Sequence, residues 1–358
     1  MFESKRYEML FGNSLEVLKT VPEGIVQVIV TSPPYFSLRA YDTEPAIWGG
    51  ESACQHDWTT VPPRRARSKD EKRSESTIQN NSSYCDLPST EECAKCKAWK
   101  GELGNENNPE LFIKNLVSLF HEAKRVLRDD GVLVVNIGDT YWNNAKVAHP
   151  FLKEKDMCLI PQRLALAMQQ DGWYVRSEII WYRKNGLPES VGDRFSRNHE
   201  TIWMFTKSPN YYFDIDAVRV PHKTENIEGH PMGASRKTVW HMGVSSERTG
   251  HVAPFCKELP EIIIKACTSE YGCCAECRKP YVREFKKDGE KYVDGGWIRA
   301  CKCSTTDVEQ CVVMDTFSGS GSTGEIAMNL GRKYIGIELS KESFDKSIER
   351  FQGNGVLF

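Results

Sequence analysis

Val312-Val313-Met314-Asp315-Thr316-Phe317-Ser318-Gly319-Ser320-Gly321-Ser322-Thr323-Gly324 reads as three elements in one line. The first four residues are an apolar, β-branched run, the pattern of a buried strand. A turn of small residues follows. Residues 322–330 then carry helical spacing, stopped by Gly331. Tyr334-Ile335-Gly336-Ile337-Glu338 is the next strand, and Ser340 caps a last helix reaching Phe351. Strand, turn, helix, strand is the alternation of a parallel α/β sheet.

The same grammar extends upstream. Gln27-Val28-Ile29-Val30 is a buried strand that stops at Thr31-Ser32-Pro33-Pro34-Tyr35, preceded by a short helix over 14–19. Pro109 and Glu110 open a helix whose apolar residues recur at three- and four-residue spacing to Leu127. Val132-Leu133-Val134-Val135-Asn136-Ile137 is a strand, 161–170 a helix broken at Gly172, 175–181 a strand and 201–205 another. Between those last two, 190–199 is polar, a hairpin or loop. A short helix covers 260–266. Residues 214–250 lack clear periodicity and are rich in His, Arg, Lys and Gly.

Two stretches interrupt the pattern. Arg64-Arg65-Ala66-Arg67 leads into charged, Ser/Asn-rich sequence ending near Ser83, which reads as a loop. Such runs are solvated, and a basic one can also neutralise phosphates. Residues 271–303 form a second, cysteine-rich insert.

The chain has 358 residues, 40% of them apolar, enough for one large α/β domain with inserts. No stretch approaches the ~20 apolar residues of a membrane helix. The N-terminus has no apolar signal core, so a soluble, cytoplasmic protein without membrane partners is expected. Net charge is −2, so any nucleic-acid surface must be a local patch. The 13 cysteines are odd in number and clustered, as metal ligands are in a non-secreted chain.

The turn at 315–324 departs from the dinucleotide G-x-G-x-x-G pattern and lacks the Lys of a phosphate-binding loop. Glycines at 319 and 321 allow a tight turn and close backbone approach. Glu338, about twenty residues on, suits a ribose diol. A plain βα turn reads the same way. If the turn binds a ligand, a nucleoside without phosphates fits, and S-adenosylmethionine is one.

Thr31-Ser32-Pro33-Pro34-Tyr35 lies just past the carboxyl end of a strand, the edge that holds ligands in open α/β sheets. Two prolines fix the backbone so that carbonyls point at one spot. Ser32 offers a hydroxyl acceptor and Tyr35 a ring for stacking a flat base. An ordinary Pro-Pro turn uses the same residues.

Cys93-Ala94-Lys95-Cys96 is a knuckle, and Cys54 and His56 lie across the loop. Cys274-Ala275-Glu276-Cys277 pairs with Cys301-Lys302-Cys303. Each set supplies four ligands for tetrahedral structural zinc. Cys85 and Cys273 are rival ligands, and unpaired or redox thiols are the alternative. Cys158, Cys256, Cys267 and Cys311 read as ordinary core or surface residues.

Together these segments resemble the amino-methylating DNA methyltransferases. Ser32-Pro33-Pro34-Tyr35 is similar to that family's catalytic motif, and Phe317-Ser318-Gly319-Ser320-Gly321 to its cofactor motif. Catalytic motif first and cofactor motif last resembles the permuted β group. The resemblance covers residues 12–35, 111–139, 176–208 and 251–350. It implies a Rossmann-like S-adenosylmethionine-dependent methyltransferase fold, mostly parallel, with helices on both faces and zinc-binding inserts. It implies a catalytic half over 1–53 and 105–213, an insert over 54–104, a target-recognition region over 214–250 and a cofactor half over 251–358.

The resemblance also implies roles. Ser32 and the Pro33 carbonyl would hold the target amine, Pro34 would fix the turn, and Tyr35 would stack on a flipped base. Asp315, Phe317, Gly319, Ser320, Gly321 and Glu338 would line the cofactor pocket, with Thr31 beside them. His251-Val252-Ala253-Pro254-Phe255 resembles the segment that closes over the cofactor's methionine part, giving Pro254 and Phe255. Asn13 stands where the family often has Asp, which puts its cofactor contact in doubt. Arg219, His222, Lys223, Arg236, Lys237, His241 and Arg248 would reach phosphates or guanine edges of double-stranded DNA, and Trp240 would wedge into the stack. A solvated loop with a buried Trp is the other reading. Ser before Pro-Pro resembles the N4-cytosine enzymes, and N6-adenine is the alternative. An RNA or protein-amide amine is a weaker one, and a zinc-stabilised DNA-binding module without activity is another. No Pro-Cys pair exists for C5-cytosine chemistry. A homodimer and a cognate restriction endonuclease stay open as partners.

Overall fold

The structure, a computed structural model, describes residues 5–38, 43–62, 65–67, 84–86, 88–143, 149–185, 191–222, 230, 232–243, 256–288 and 291–353. The chain divides into two compact units. Met1–Ser32, Ala123–Asn136 and Gly172–Phe358 form the first, and Pro33–Glu122 with Ile137–Asp171 the second.

The first unit is built on an eight-stranded sheet. Its strands are β1 (Tyr7–Phe11), β2 (Val26–Thr31), β3 (Leu127–Ile137), β4 (Tyr174–Arg183), β5 (His199–Thr206), β6 (Val239–Met242), β7 (Val312–Asp315) and β8 (Lys333–Glu338). Their order in space is β1-β8-β7-β2-β3-β5-β4-β6. The pairs β1–β8, β8–β7, β7–β2, β2–β3 and β4–β6 run parallel, while β4 and β5 run antiparallel. The helices of the chain are α1 (Ser14–Leu18), α2 (Pro109–Val126), α3 (Ile160–Gln170), α4 (Glu258–Cys267), α5 (Ser322–Asn329) and α6 (Lys341–Gly353); α3 and most of α2 belong to the second unit.

All six residues of β2 are buried, as its β-branched Val28-Ile29-Val30 core suits a central parallel strand, with the polar Gln27 and Thr31 buried beside it. Val28 and Val30 pack in one cluster with Val132 and Val134 of β3, Leu259, Ile262 and Ile263 of α4, and Ala327 and Met328 of α5. Each of these side chains larger than alanine contributes about 1.5–3 kcal/mol when fully buried. From β7 the chain passes through α5 to β8 on one side, whereas from β2 it leads to β3 on the other. The order therefore reverses between β7 and β2, and at such a switch point the carboxyl ends open a crevice.

Two strands of this sheet have no counterpart in the sequence reading. β1 is an edge strand of half-buried residues. β6 lies inside the stretch 214–250, whose residues gave no period. It alternates exposed and buried along Val239–Met242, and pairs Trp240 with Trp181 of β4. Trp240 is 7% exposed within the core cluster, and its indole N–H donates to the Lys237 carbonyl at 2.8 Å. The expectation of a Trp240 wedge is thereby corrected: the ring is spent on packing.

The second cysteine-rich insert belongs to this unit. Cys273–Cys274 pairs with Val308–Glu309, and Tyr281–Asp288 forms an antiparallel hairpin with Lys291–Arg299.

The second unit holds a four-stranded antiparallel sheet in the order Ala46–Trp48, Trp99–Gly101, Thr90–Cys93, Trp58–Val61. Arg65–Arg67 pairs with Tyr84–Asp86. Arg64 and residues 68–83, expected as a loop, lie outside the described residues. Phe36, just past the proline turn, is buried with its ring centroid 5.4 Å from that of Phe112 on α2. Among the described residues no helix is long and apolar enough to cross a membrane.

Candidate active site

Thr31 ends β2 and Asp315 ends β7. The Thr31 hydroxyl donates to Asp315 Oδ1 at 2.7 Å and lies 3.0 Å from Thr316 Oγ1. Asp315 Oδ1 also accepts the Phe317 N–H at 3.0 Å, and Oδ2 accepts the Thr323 hydroxyl at 2.8 Å. Burial pushes the Asp315 carboxyl above its ordinary value, and these donors work against that rise. Three of the carboxylate's roughly four acceptor directions are therefore filled by the protein. Asp315 braces the turn from beneath.

The glycine turn is held on every side. Gly319 and Gly321 have φ of 55° and 80°, a left-handed backbone that favours glycine. A Cβ on Gly321 would stand 2.7 Å from the Phe351 ring, whereas one on Gly319 would meet open space. The turn thus packs on α6 at one glycine and leaves the other clear for a ligand. Ser347 of α6 donates to the Gly319 carbonyl at 2.8 Å, and Ser14 donates to that of Thr316 at 2.5 Å. Ser318 Oγ lies 2.8 Å from the buried Tyr334 hydroxyl. Phe317 and Ser320 are half-buried.

Glu338 ends β8. Its carboxylate accepts the Gly319 and Ser340 N–H groups, each at 2.7 Å. Burial raises its carboxyl, and those N–H groups oppose the rise. Such a carboxylate can also accept from a vicinal diol. Asn13 is used otherwise than expected: its Oδ1 accepts the Leu15 and Glu16 N–H groups and caps α1. Pro254 and Phe255 lie outside the described residues.

Ser32, half-buried, closes the first unit's segment, and the next residue, Pro33, is buried. Within the second unit, the Tyr35 ring lies close against Gly138: a Cβ there would stand 2.6 Å from Tyr35 Cε2. The Ser37 N–H donates to the Gly104 carbonyl at 2.8 Å, tying the end of the proline turn to the far end of the insert.

Both cysteine sets are gathered. In each of Cys54, His56, Cys93, Cys96 and Cys274, Cys277, Cys301, Cys303, the ligand atoms lie within 4.8 Å of one another. Tetrahedral zinc–thiolate bonds of about 2.3 Å put sulfurs about 3.8 Å apart. Cys54 and Cys93 Sγ are 3.9 Å apart, and Cys96 Sγ is 3.4 Å from His56 Nδ1. In the second set, the Cys277 N–H brings the Cys274 thiol down to about 6, favouring the thiolate a metal needs. Arg299 Nη2 lies 3.8 Å from both Cys274 and Cys301 Sγ, a cation against the sulfur cluster. Cys273 points elsewhere, donating to the Glu309 carbonyl. Of the rival pair, Cys274 joins the cluster.

A model of the DNA methylase family matches residues 26–349. The chain belongs to the DNA methylase family. The type II methyltransferase M.Cfr9I of Citrobacter freundii is 31% identical over 360 residues, covering 96% of this chain and 86% of that protein. M.XycI of Xanthomonas campestris pv. cyanopsidis is 30% identical with the same coverage. The solved cytosine-N4-specific PvuII DNA methyltransferase shares the fold with a TM-score of 0.57 at 18% identity, over 97% of this chain and 86% of that one. This DNA methylase is thus an S-adenosylmethionine-dependent enzyme of the N6-adenine/N4-cytosine amino-methylating group.

The methylase's expected DNA contacts fare unevenly. Arg219 is engaged by Asp216 at 2.5 Å and the Gly233 carbonyl at 3.1 Å, and Arg236 by the Val218 carbonyl at 3.2 Å. Lys237 and His241 are exposed, while Lys223 and Arg248 lie outside the described residues. The residues that sequence reasoning passed over are the supports. Ser14, Ser347 and Gly138 come from remote segments with no local motif, and Thr323 lies in the glycine-turn stretch itself without a recognisable role. Only Arg299, two residues before Cys301, carried a local signal.

Proposed function

We propose that this methylase transfers the methyl group of S-adenosylmethionine to the exocyclic N4 amine of cytosine in double-stranded DNA. The observation that carries the reading is the joint between Thr31 and Asp315 at the switch point. It fixes the start of the proline turn against the start of the glycine turn, so Ser32 emerges beside the cofactor loop.

In this reading Phe317, Gly319, Ser320 and Gly321 line the cofactor, and Glu338 takes the ribose diol. Thr31 and Asp315 set the turn, and Asn13 supports it as a helix cap. Pro254 and Phe255 cover the methionine part. When bound, the sulfonium supplies a methyl group already activated for transfer, so catalysis reduces to positioning and charge placement. Ser32 and the Pro33 carbonyl accept hydrogen bonds from the amine and aim its lone pair. Pro34 keeps the backbone fixed and Tyr35 stacks on the flipped base. As the new N–C bond forms, the amine proton leaves to water or to Ser32. No covalent enzyme intermediate is required.

The catalytic motif precedes the cofactor motif, which supports assignment to the permuted β group. Residues 214–250 serve as the target-recognition region, with Lys237 and the charged residues near it on phosphates. The two cysteine sets hold structural zinc. At 18% identity the PvuII enzyme speaks to fold alone, so the choice of N4 rests on serine at position 32.

The test is methyl transfer from labelled cofactor to DNA, RNA and protein, followed by nucleoside analysis. N4-methylcytosine in DNA, lost in Ser32→Ala, is the expected result. N6-methyladenine would reassign the base, and an active Ser32→Ala would remove the role given to that serine.

A further inference from the structure

β2 and β3 pair in parallel with Thr31 opposite Val135, so the next residues in step are Ser32 and Asn136. Neighbouring strands lie about 4.8 Å apart, which sets Asn136 beside the serine at the carboxyl edge. Asn136 is 2% exposed. Its amide nitrogen donates to Glu200 Oε2, on β5, at 3.0 Å. Glu200 Oε1 in turn pairs with Arg183 Nη1, the last residue of β4, at 3.5 Å. Arg183 is itself anchored, its N–H to the Asn198 carbonyl at 2.9 Å and its guanidinium to the Arg197 carbonyl at 3.4 Å.

This is a directed chain. Arg183 only donates and the Glu200 carboxylate only accepts, so the Asn136 amide has one permitted orientation: nitrogen toward Glu200. A half-buried carboxylate between a cation and a buried amide is partly desolvated, so removing one partner leaves the other poorly compensated. Hydrophobic residues would pack the same edge as well. A polar relay that runs from β4 through β5 to the residue beside Ser32 therefore calls for a role at that serine.

We propose that Asn136 is a positioning residue for the target amine, held in its working orientation by the Glu200–Arg183 pair. The inference rests on the reading that Ser32 holds the amine. Asn136 sets the position of Ser32 and the base edge, and Glu200 prevents the amide from flipping.

The experiment is a double-mutant cycle on the full-length enzyme. Glu200→Gln permits the amide to flip, and Asn136→Asp sets two carboxylates against each other. Each is expected to lower kcat on DNA about tenfold with KM for S-adenosylmethionine unchanged. The pair Asn136→Asp with Glu200→Gln restores a donor–acceptor match in reversed sense, and is expected to recover most of kcat. Thermal melting separates stability from turnover. Wild-type kcat in both single variants overturns the proposal. So does a loss that tracks melting temperature alone, or a double variant no better than its parents. An active Ser32→Ala would instead sink the underlying reading of the serine, so the two failures are distinct.

Discussion

The hydroxyl of Thr31 reaches across two neighbouring strands to the carboxylate of Asp315, 284 residues later in the chain, at 2.7 Å. Both residues end their strands at the point where the strand order of the sheet reverses. The ends of β2 and β7 are thus fastened together by one buried hydrogen bond.

Thr31→Val keeps the shape and removes the donor. Asp315 stays buried with one partner fewer, and Thr316 Oγ1 loses its 3.0 Å neighbour. A stranded buried polar group costs about 1–3 kcal/mol. Urea unfolding of the variant should show a loss in that range, together with weaker cofactor binding by titration. Unchanged unfolding would mean that the contact carries no energy.

The raised carboxyls of Asp315 and Glu338 give stability a defined pH dependence. Burial moves the first above 3.8 and the second above 4.5. An acid raised in the folded state keeps its proton after the unfolded chain has released it. Across that window the folded state binds more protons, so stability falls as pH rises from the ordinary carboxylate range, and levels off above the raised values. Asp315→Asn has no proton to release. The stability of wild type minus variant should therefore decline as pH increases through the window. The cysteine clusters are common to both proteins and cancel in the difference. A difference flat in pH would show that Asp315 titrates normally.

Strong local patterns were readable without coordinates. β2, β7, β8 and α2 follow from unbroken apolar runs or helical spacing, and the cysteine pairs from their two-residue gaps. What the sequence hid was non-local. β6 has three apolar residues in four, with no alternation in residue type. Its alternate burial arises from lying beside β4. β1 is an edge strand whose half-buried side chains leave no periodic trace. Asn13 was legible as a polar residue before a helix, yet its use as a cap depends on where α1 begins. Arg219 was legible as basic, but its partner Asp216 sits on the short 3₁₀ turn Asp216–Val218, which carries no sequence signal.

Two gathered cysteine sets predict two zinc ions per chain by elemental analysis. Cys54→Ser and Cys303→Ser should each reduce this to one, in different inserts. Arg299→Ala leaves the four thiols of the second set in place but removes the cation beside Cys274 and Cys301. Metal should then leave that site faster under chelation, with the first set unaffected. Zinc well under one per chain in the wild type would remove both sites.

Gly138 offers the sharpest test of the aromatic platform. A methyl group added there would fall 2.6 Å from Tyr35 Cε2 and 2.7 Å from Cδ2, closer than carbon atoms approach. Gly138 follows a buried strand, so its backbone has little room to retreat, and the ring must swing. Gly138→Ala should therefore displace the ring proposed to stack on the target base, while leaving the glycine turn at 315–321 untouched. Misplacing a reacting group by about 1 Å can cost a hundredfold in rate. The expected result is a fall in kcat approaching that size, with cofactor affinity held at the wild-type value. Tyr35→Ala should lower kcat in the same way. Tyr35→Phe, which keeps the ring and loses the hydroxyl, should stay near wild type. Equal losses in the alanine and phenylalanine variants would assign the work to the hydroxyl and refute stacking.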